Sequence, residues 1–187
     1  AINHAINRQQ VIDVGWQGAG KFTLHPYPEY PPLMRYIDQI QDLFDKYELN
    51  THNPALTAEI MQRKGWQKDE GGFWSKDGAR FKMVIDVFPN LFQDFTPILV
   101  EQLRQAGFDA SFRATNDVYT RMTQGTARSF VMGHAASVRD PYFTLRLYHS
   151  RFVQPTGTAA EYFWRWGNAE FDTIVDRMAG VSPDDPE

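Results

Sequence analysis

The 187-residue chain contains no cysteine. That absence excludes disulfides, cysteine-ligated zinc, iron–sulfur clusters and thiol catalysis. No apolar run approaches the roughly 18 residues that span a bilayer. Neither sign of charge dominates: 19 Lys and Arg stand against 23 Asp and Glu, a formal net charge of −4. Without clustered positive charge there is no footprint for a phosphate backbone, so nucleic acid is not expected as a partner. The five histidines (His4, His25, His52, His134 and His149) lie far apart. None has a partner at helical metal-ligand spacing, so no metal site is expected. No Gly-x-Ser-x-Gly elbow occurs, and no Ser, His and Asp stand in an order that marks a hydrolase. Gly15 to Lys21 fits G-x-x-x-x-G-K, but Phe22 stands where a phosphate loop needs Ser or Thr. A helical pattern precedes it and His25-Pro26-Tyr27-Pro28 follows, so the stretch reads as a glycine-rich connector. Asp38, Asp42 and Asp45 read as the solvated face of a helix.

Apolar side chains are plentiful. Hydrophobic residues make up 42% of the chain and aromatics 14%, enough for a sizeable core. Ile2, Ala5, Ile6 and Ile12 predict a helix over 1–14, and Leu33 to Tyr47 a longer one over 33–48. Asn53-Pro54 opens a helix that Gly65 ends. Residues 70–88 read as a hairpin turning at Ser75 to Gly78, with Phe81, Met83, Ile85 and Val87 alternating along its second strand. Then follow a helix over 93–106, a strand over 108–114, a short helix over 116–124 and a strand over 128–135. This alternation predicts an α/β fold with a largely parallel sheet. A short helix after Asp140-Pro141, an aromatic loop at Phe163 to Trp166 and a helix over 169–178 complete the pattern. The chain opens without an initiator methionine or a signal peptide. Ser182 and Pro183 read as the start of a helix. The expectation is a piece cut from a longer protein.

In open α/β sheets, ligands bind beyond the carboxyl ends of strands. Gly133 and His134 fall at such an end, and Tyr119 begins the helix that follows another. Trp164 and Trp166 read either as core anchors or as stacking surfaces for a ligand.

Six stretches, in order, resemble the second lobe of the oligopeptide/dipeptide-type solute-binding proteins of ABC importers, extracellular solute-binding protein family 5. Ala1 to Ile12 resembles the family's A-I-x-x-A-I-D-R helix, with Asn7 in place of the Asp. Asn53-Pro54-Ala55 to Gly65-Trp66, Gly72 to Gly78, Val100 to Ala110, Asp140-Pro141 and Asn168 to Asp172 supply the rest. The resemblance implies a periplasmic-binding-protein-like lobe of type II, a mixed and mostly parallel sheet flanked by helices. It implies that residues 1–187 form a single α/β lobe of a two-lobe protein that closes over its ligand. The protein would be a monomer without cofactor or catalytic residues, periplasmic or a cell-surface lipoprotein, delivering its solute to ABC permease subunits.

The ligand-binding residues expected, from the resemblance and from the loop aromatics together, are Tyr119, Gly133, His134, Ala135, Ser137, Arg139, Asp140 and Trp164. Ser137 stands where peptide binders of this family usually carry an Asp for the peptide's α-amino group. The solute expected is therefore an oligopeptide or an oligosaccharide, with aromatic stacking serving the latter. A ligand-sensing receptor module and an α/β hydrolase domain are the alternatives.

Overall fold

The structure is a computed structural model that describes residues 1–133, 137–182 and 184. The chain divides into two compact units. Ala1–Leu24, Tyr47–Val118 and Ala127–Met132 form the first; His25–Lys46, Tyr119–Thr126 and Gly133–Glu187 form the second. No helix among the described residues is long and apolar enough to cross a membrane.

The first unit holds two three-stranded sheets. Strands β1 (Gln67–Lys68), β2 (Trp74–Lys76) and β3 (Ala79–Arg80) make an antiparallel meander. Asp77 and Gly78 both take positive φ, 53° and 77°, as a two-residue turn between right-twisted strands requires. The Asp69 carboxylate ties the meander together. It accepts from the amides of Gly71 and Phe73 and from Arg80 Nε at 2.6 Å. The amide bond from Phe73 is the main reason its carboxyl is held below the usual range.

The second sheet is parallel, in the order β5 (Asp109–Ala114), β4 (Lys82–Val87), β6 (Ser129–Val131). The expected parallel βαβαβ unit is present. The alternation over 82–87 predicts the hairpin's second strand, however, and β4 does not pair there. Phe81 gives its amide to the Trp74 carbonyl at 2.7 Å, and the chain then turns into the centre of the parallel sheet. Register places Asp86 opposite Arg113, and the guanidinium grips the buried carboxylate at 2.6 and 3.0 Å. Ile85, Val87, Leu103, Phe108 and Trp74 build the core. The helix Thr96–Gln105 packs on β5 and ends at Gly107, whose φ is +98°. A Cβ there would sit 3.0 Å from Trp74 Nε1 and 3.1 Å from the Gly72 carbonyl, a tight fit that adds to the preference the positive φ already sets for glycine.

Two expected helices are broken. The first comprises Ile2–Ala5 and Arg8–Gln10, the latter running into a wide turn over Val11–Gly15. Ile6 is extended between them, and Asn7 caps the second piece by accepting from the Gln10 amide. Distant Gln102 holds the break, taking the Asn7 amide on Oε1 and donating Nε2 to the Asn7 carbonyl. In the second unit the helix expected over 33–48 is Pro31–Asp38 followed by Gln41–Lys46. Its register slips at Ile37. That carbonyl accepts the Ile40 amide in a tight turn, and the Gln41 side chain takes a place on the same oxygen.

The second unit continues with Tyr142–Leu145, the single turns Arg146–Tyr148 and Ser150–Phe152, and the helix Ala169–Met178. Asn168 caps that last helix on the Phe171 amide at 3.0 Å, and Glu170 and Asp172 favour its positive end. Asp172 accepts from both the amide and the hydroxyl of Ser150, which lowers its carboxyl pKa. These bonds fix the Ser150–Phe152 turn against the helix.

A candidate ligand-binding site

The residues singled out in the sequence fall in the second unit, on an aromatic arm and a polar arm. The aromatic arm begins at Tyr119, in the helix Val118–Thr123, with half its surface exposed. Its ring meets Phe163 edge-on, centroids 5.5 Å apart at 82°. Phe163 meets Trp164 edge-on at 6.3 Å, and Trp164 lies nearly flat on Tyr148 at 4.7 Å and 17°. Tyr119 and Trp164 thus belong to one chain of rings. Trp166 is also exposed and touches Phe171 edge-on at 5.3 Å.

The loop that carries these rings has little regular structure, and Arg165 holds it in shape. Its Nη2 donates to the carbonyls of Thr123 at 2.6 Å and Thr158 at 3.2 Å; its Nη1 reaches those of Tyr162 and Trp164. Gly125, at φ +70°, makes room for the guanidinium, because a Cβ there would lie 2.8 Å from Arg165 Nε.

A cleft of about 440 Å³ opens in this arm. Tyr148, Trp164, Trp166 and Phe171 give it aromatic walls; Pro26, Leu145 and Arg165 complete them. Tyr148 was not singled out in the sequence. The signal available was its three-residue spacing from Leu145, which puts both on one side of a helical run.

Nearby, Tyr27 is buried and stacks with His25. Burial first, then the Tyr148 phenol, raises its pKa from 10.0 to about 12. The folded state holds that proton above the pH at which the unfolded chain releases it. Its contribution to stability is therefore full below pH 10 and fades as pH rises through about 12. Alkaline unfolding of Tyr27→Phe is accordingly expected to depend less on pH across that window than that of the parent, as denaturant midpoints at stepped pH would read.

The polar arm is the segment after β6. Gly133 is exposed and has open space where a Cβ would stand. His134 and Ala135, also expected to contact ligand, lie outside the described residues. Ser137 is buried at 1% exposure. Its amide donates to Thr144 Oγ1 at 2.8 Å, and its Oγ accepts from the Thr144 amide at 2.9 Å. This reciprocal pair fastens the segment to the helix Tyr142–Leu145. Asp140 opens that helix by accepting from the Tyr142 amide at 2.9 Å. Arg139 is exposed, 3.8 Å from the Asp184 carboxylate, which also receives Arg35 at 3.1 Å.

What the geometry offers is exposed ring surface, the open backbone at Gly133 and polar side chains engaged in holding the loops. That inventory suits non-covalent capture. Known proteins resemble the chain, among them the following three. Protein XP55 of Streptomyces lividans is 27% identical, aligned over 100% of this chain and 32% of that protein. Heme-binding protein A of Haemophilus influenzae is 24% identical over 97% of this chain and 30% of its own length. The crystal structure of a periplasmic oligopeptide-binding protein of Thermotoga maritima, from an oligopeptide ABC transporter, superposes with a TM-score of 0.80. It is 15% identical and covers 97% of this chain and 35% of that one. The chain thus spans about a third of the length of the relatives it matches, and it shares the mixed α/β fold of type II periplasmic-binding-protein-like solute receptors. The signature described as bacterial extracellular solute-binding proteins, family 5 Middle, matches residues 1–156, and the chain belongs to that family.

Proposed function

We propose that the chain is one lobe of the solute-capturing component of a bacterial ABC importer, and that its solute is an oligopeptide. The observation that carries this reading is the family membership together with the site's chemistry: exposed rings and open backbone, with polar side chains engaged in local bonds. Capture without reaction needs no more than that. Rings supply contact area at low entropic cost, and the backbone at Gly133 leaves room for a peptide main chain to approach. Tyr119, Gly133, His134, Ala135, Arg139, Asp140 and Trp164 are the proposed contacts. Ser137 frames them from within, since its Oγ already accepts from Thr144. A peptide's α-amino group would need its counter-charge elsewhere, because an unpaired ammonium in a closed site is costly. The protein would act outside the cytoplasmic membrane, as a monomer in the periplasm or as a surface lipoprotein, and pass its load to permease subunits.

Native mass spectrometry of the protein purified without denaturation tests this. Co-purifying masses that fragment into amino-acid residues are expected. Masses spaced by hexose units would replace the peptide with an oligosaccharide. Turnover of an ester or glycoside substrate would overturn the reading as a binding protein.

A further inference from the structure

We infer that the cleft walled by Tyr148, Trp164, Trp166 and Phe171 is a slot for an uncharged aromatic ring of the solute, the size of an indole or phenol, and not for a sugar. Both chemistries stack on aromatic faces, so the rings alone do not decide between them. The rest of the wall does. A sugar buried on a ring must have its hydroxyls answered, because each gives up hydrogen bonds to water. Asp, Glu, Asn and Gln are the side chains that answer paired hydroxyls, and none is among the described residues that line the cleft.

Arg165 brings the wall's one guanidinium, and it is committed to the loop. Its terminal nitrogens donate to the carbonyls of Thr123, Thr158, Tyr162 and Trp164. Its Nε is buried from solvent without a hydrogen-bond partner among the described residues, next to the space a Cβ on Gly125 would occupy. Pro26 and Leu145 are apolar. An aromatic ring entering this cleft gives up few hydrogen bonds to water and gains apolar contact on several sides. The same wall disfavours a carboxylate head, because both terminal nitrogens of the guanidinium are engaged by backbone carbonyls.

The slot is also organised in advance. Trp164 is held on one face by Tyr148, 17° from parallel, and its carbonyl is fixed by Arg165. Trp166 is edge-on to Phe171 with 48% of its surface exposed. A volume of about 440 Å³ lies in the range of small-ligand pockets.

The inference deepens the proposed capture of a peptide, since the ring would belong to one of its side chains, and it is tested apart from that proposal. Calorimetric titration of the protein with N-acetyl-tryptophanamide and with maltotriose is the experiment. The indole amide is expected to bind, and the trisaccharide not. Trp166→Ala, at an exposed position, is expected to weaken the indole amide about tenfold with an unchanged far-ultraviolet circular dichroism spectrum. Trp164→Leu should weaken it further. Binding of maltotriose without the indole amide would overturn the assignment, as would equal affinity for the indole amide in the parent and both variants. A mixed peptide library separates the two proposals. Retention of peptides regardless of aromatic content would sink the ring slot and leave peptide capture standing. Binding of the indole amide with no retained peptide would keep the slot and remove the peptide.

Discussion

Trp74→Ala is expected to lower the unfolding free energy by about 4 kcal/mol, toward the upper end for a large-to-small core change, and the melting temperature by roughly 10 °C. The ring is 1% exposed and belongs to the core formed with Phe108, Leu103 and Val87. Three losses add up. The first is the apolar area of the largest side chain in that core together with the void it leaves. The second is the bond from the indole Nε1 to the Ala106 carbonyl at 2.8 Å, which leaves a helix-end carbonyl without that donor. The third is the ring face over which Lys68 Nζ sits at 5.2 Å. Trp74 is also where the meander meets the parallel layer, since its amide donates to the Gly107 carbonyl and its carbonyl accepts from Phe81. Trp74→Phe separates these contributions. It keeps most of the bulk and deletes the donor, so a smaller loss of about 2 kcal/mol is expected. Guanidinium unfolding followed by circular dichroism reads both variants. An unchanged midpoint for Trp74→Ala would show that the hairpin is not anchored through this ring.

The features legible in the sequence are those whose cause lies within a few residues. Asn53 and Asn168 cap their helices because each side chain needs only the amide three residues on. Asp77-Gly78 turns and Gly107 stops because their own backbone geometry demands it. What the sequence did not disclose depends on partners far along the chain. The alternation from Phe81 to Val87 fits a hairpin strand and a central parallel strand equally well. The decision belongs to β5 and β6, which offer β4 a partner on both sides. Apolar spacing over 1–14 gives no warning of the break at Ile6, since its cause is Gln102, on another helix.

The site divides along the same line. Exposure of Tyr119 and Gly133 agrees with their place at the ends of elements. Ser137 draws notice as the position where an Asp is usual, and what the fold makes of its hydroxyl is a bond to Thr144 seven residues away. Sequence does not decide Trp164 between core and ligand, because its stacking partner, Tyr148, is 16 positions earlier and meets it only in the folded chain. Arg165 carried no signal at all. Its four carbonyl partners come from backbone, which no side-chain pattern records.

Gln102→Leu is expected to cost about 3 kcal/mol although it fills the same space with an apolar group. Gln102 is 6% exposed in the helix Thr96–Gln105. Its amide closes a ring of bonds with the break in the first helix: Oε1 takes the Asn7 amide at 2.9 Å, and Nε2 gives to the Asn7 carbonyl at 3.1 Å and to Gln10 Oε1 at 2.7 Å. An extended residue between two helical pieces exposes its neighbours' backbone groups, and here one side chain satisfies a donor and an acceptor together. Leucine would leave the Asn7 amide without that partner, at about 1–3 kcal/mol when buried, and would leave the Asn7 carbonyl with the Val11 amide alone. Gln102→Glu is the sharper test, because it retains the acceptor and makes the donor conditional. Above the ordinary glutamate range the carboxylate faces the Asn7 carbonyl and Gln10 Oε1, oxygen against oxygen, and the variant should be the weaker protein. As pH falls through that range the protonated carboxyl regains one donor, so the stability gap to the parent should narrow. Denaturant midpoints of the parent and the two variants at about pH 7 and pH 4, on either side of that range, measure the effect. A gap for Gln102→Glu that stays constant between them would mean that the donor half of the amide does not hold the break, and that the extended conformation of Ile6 has another cause.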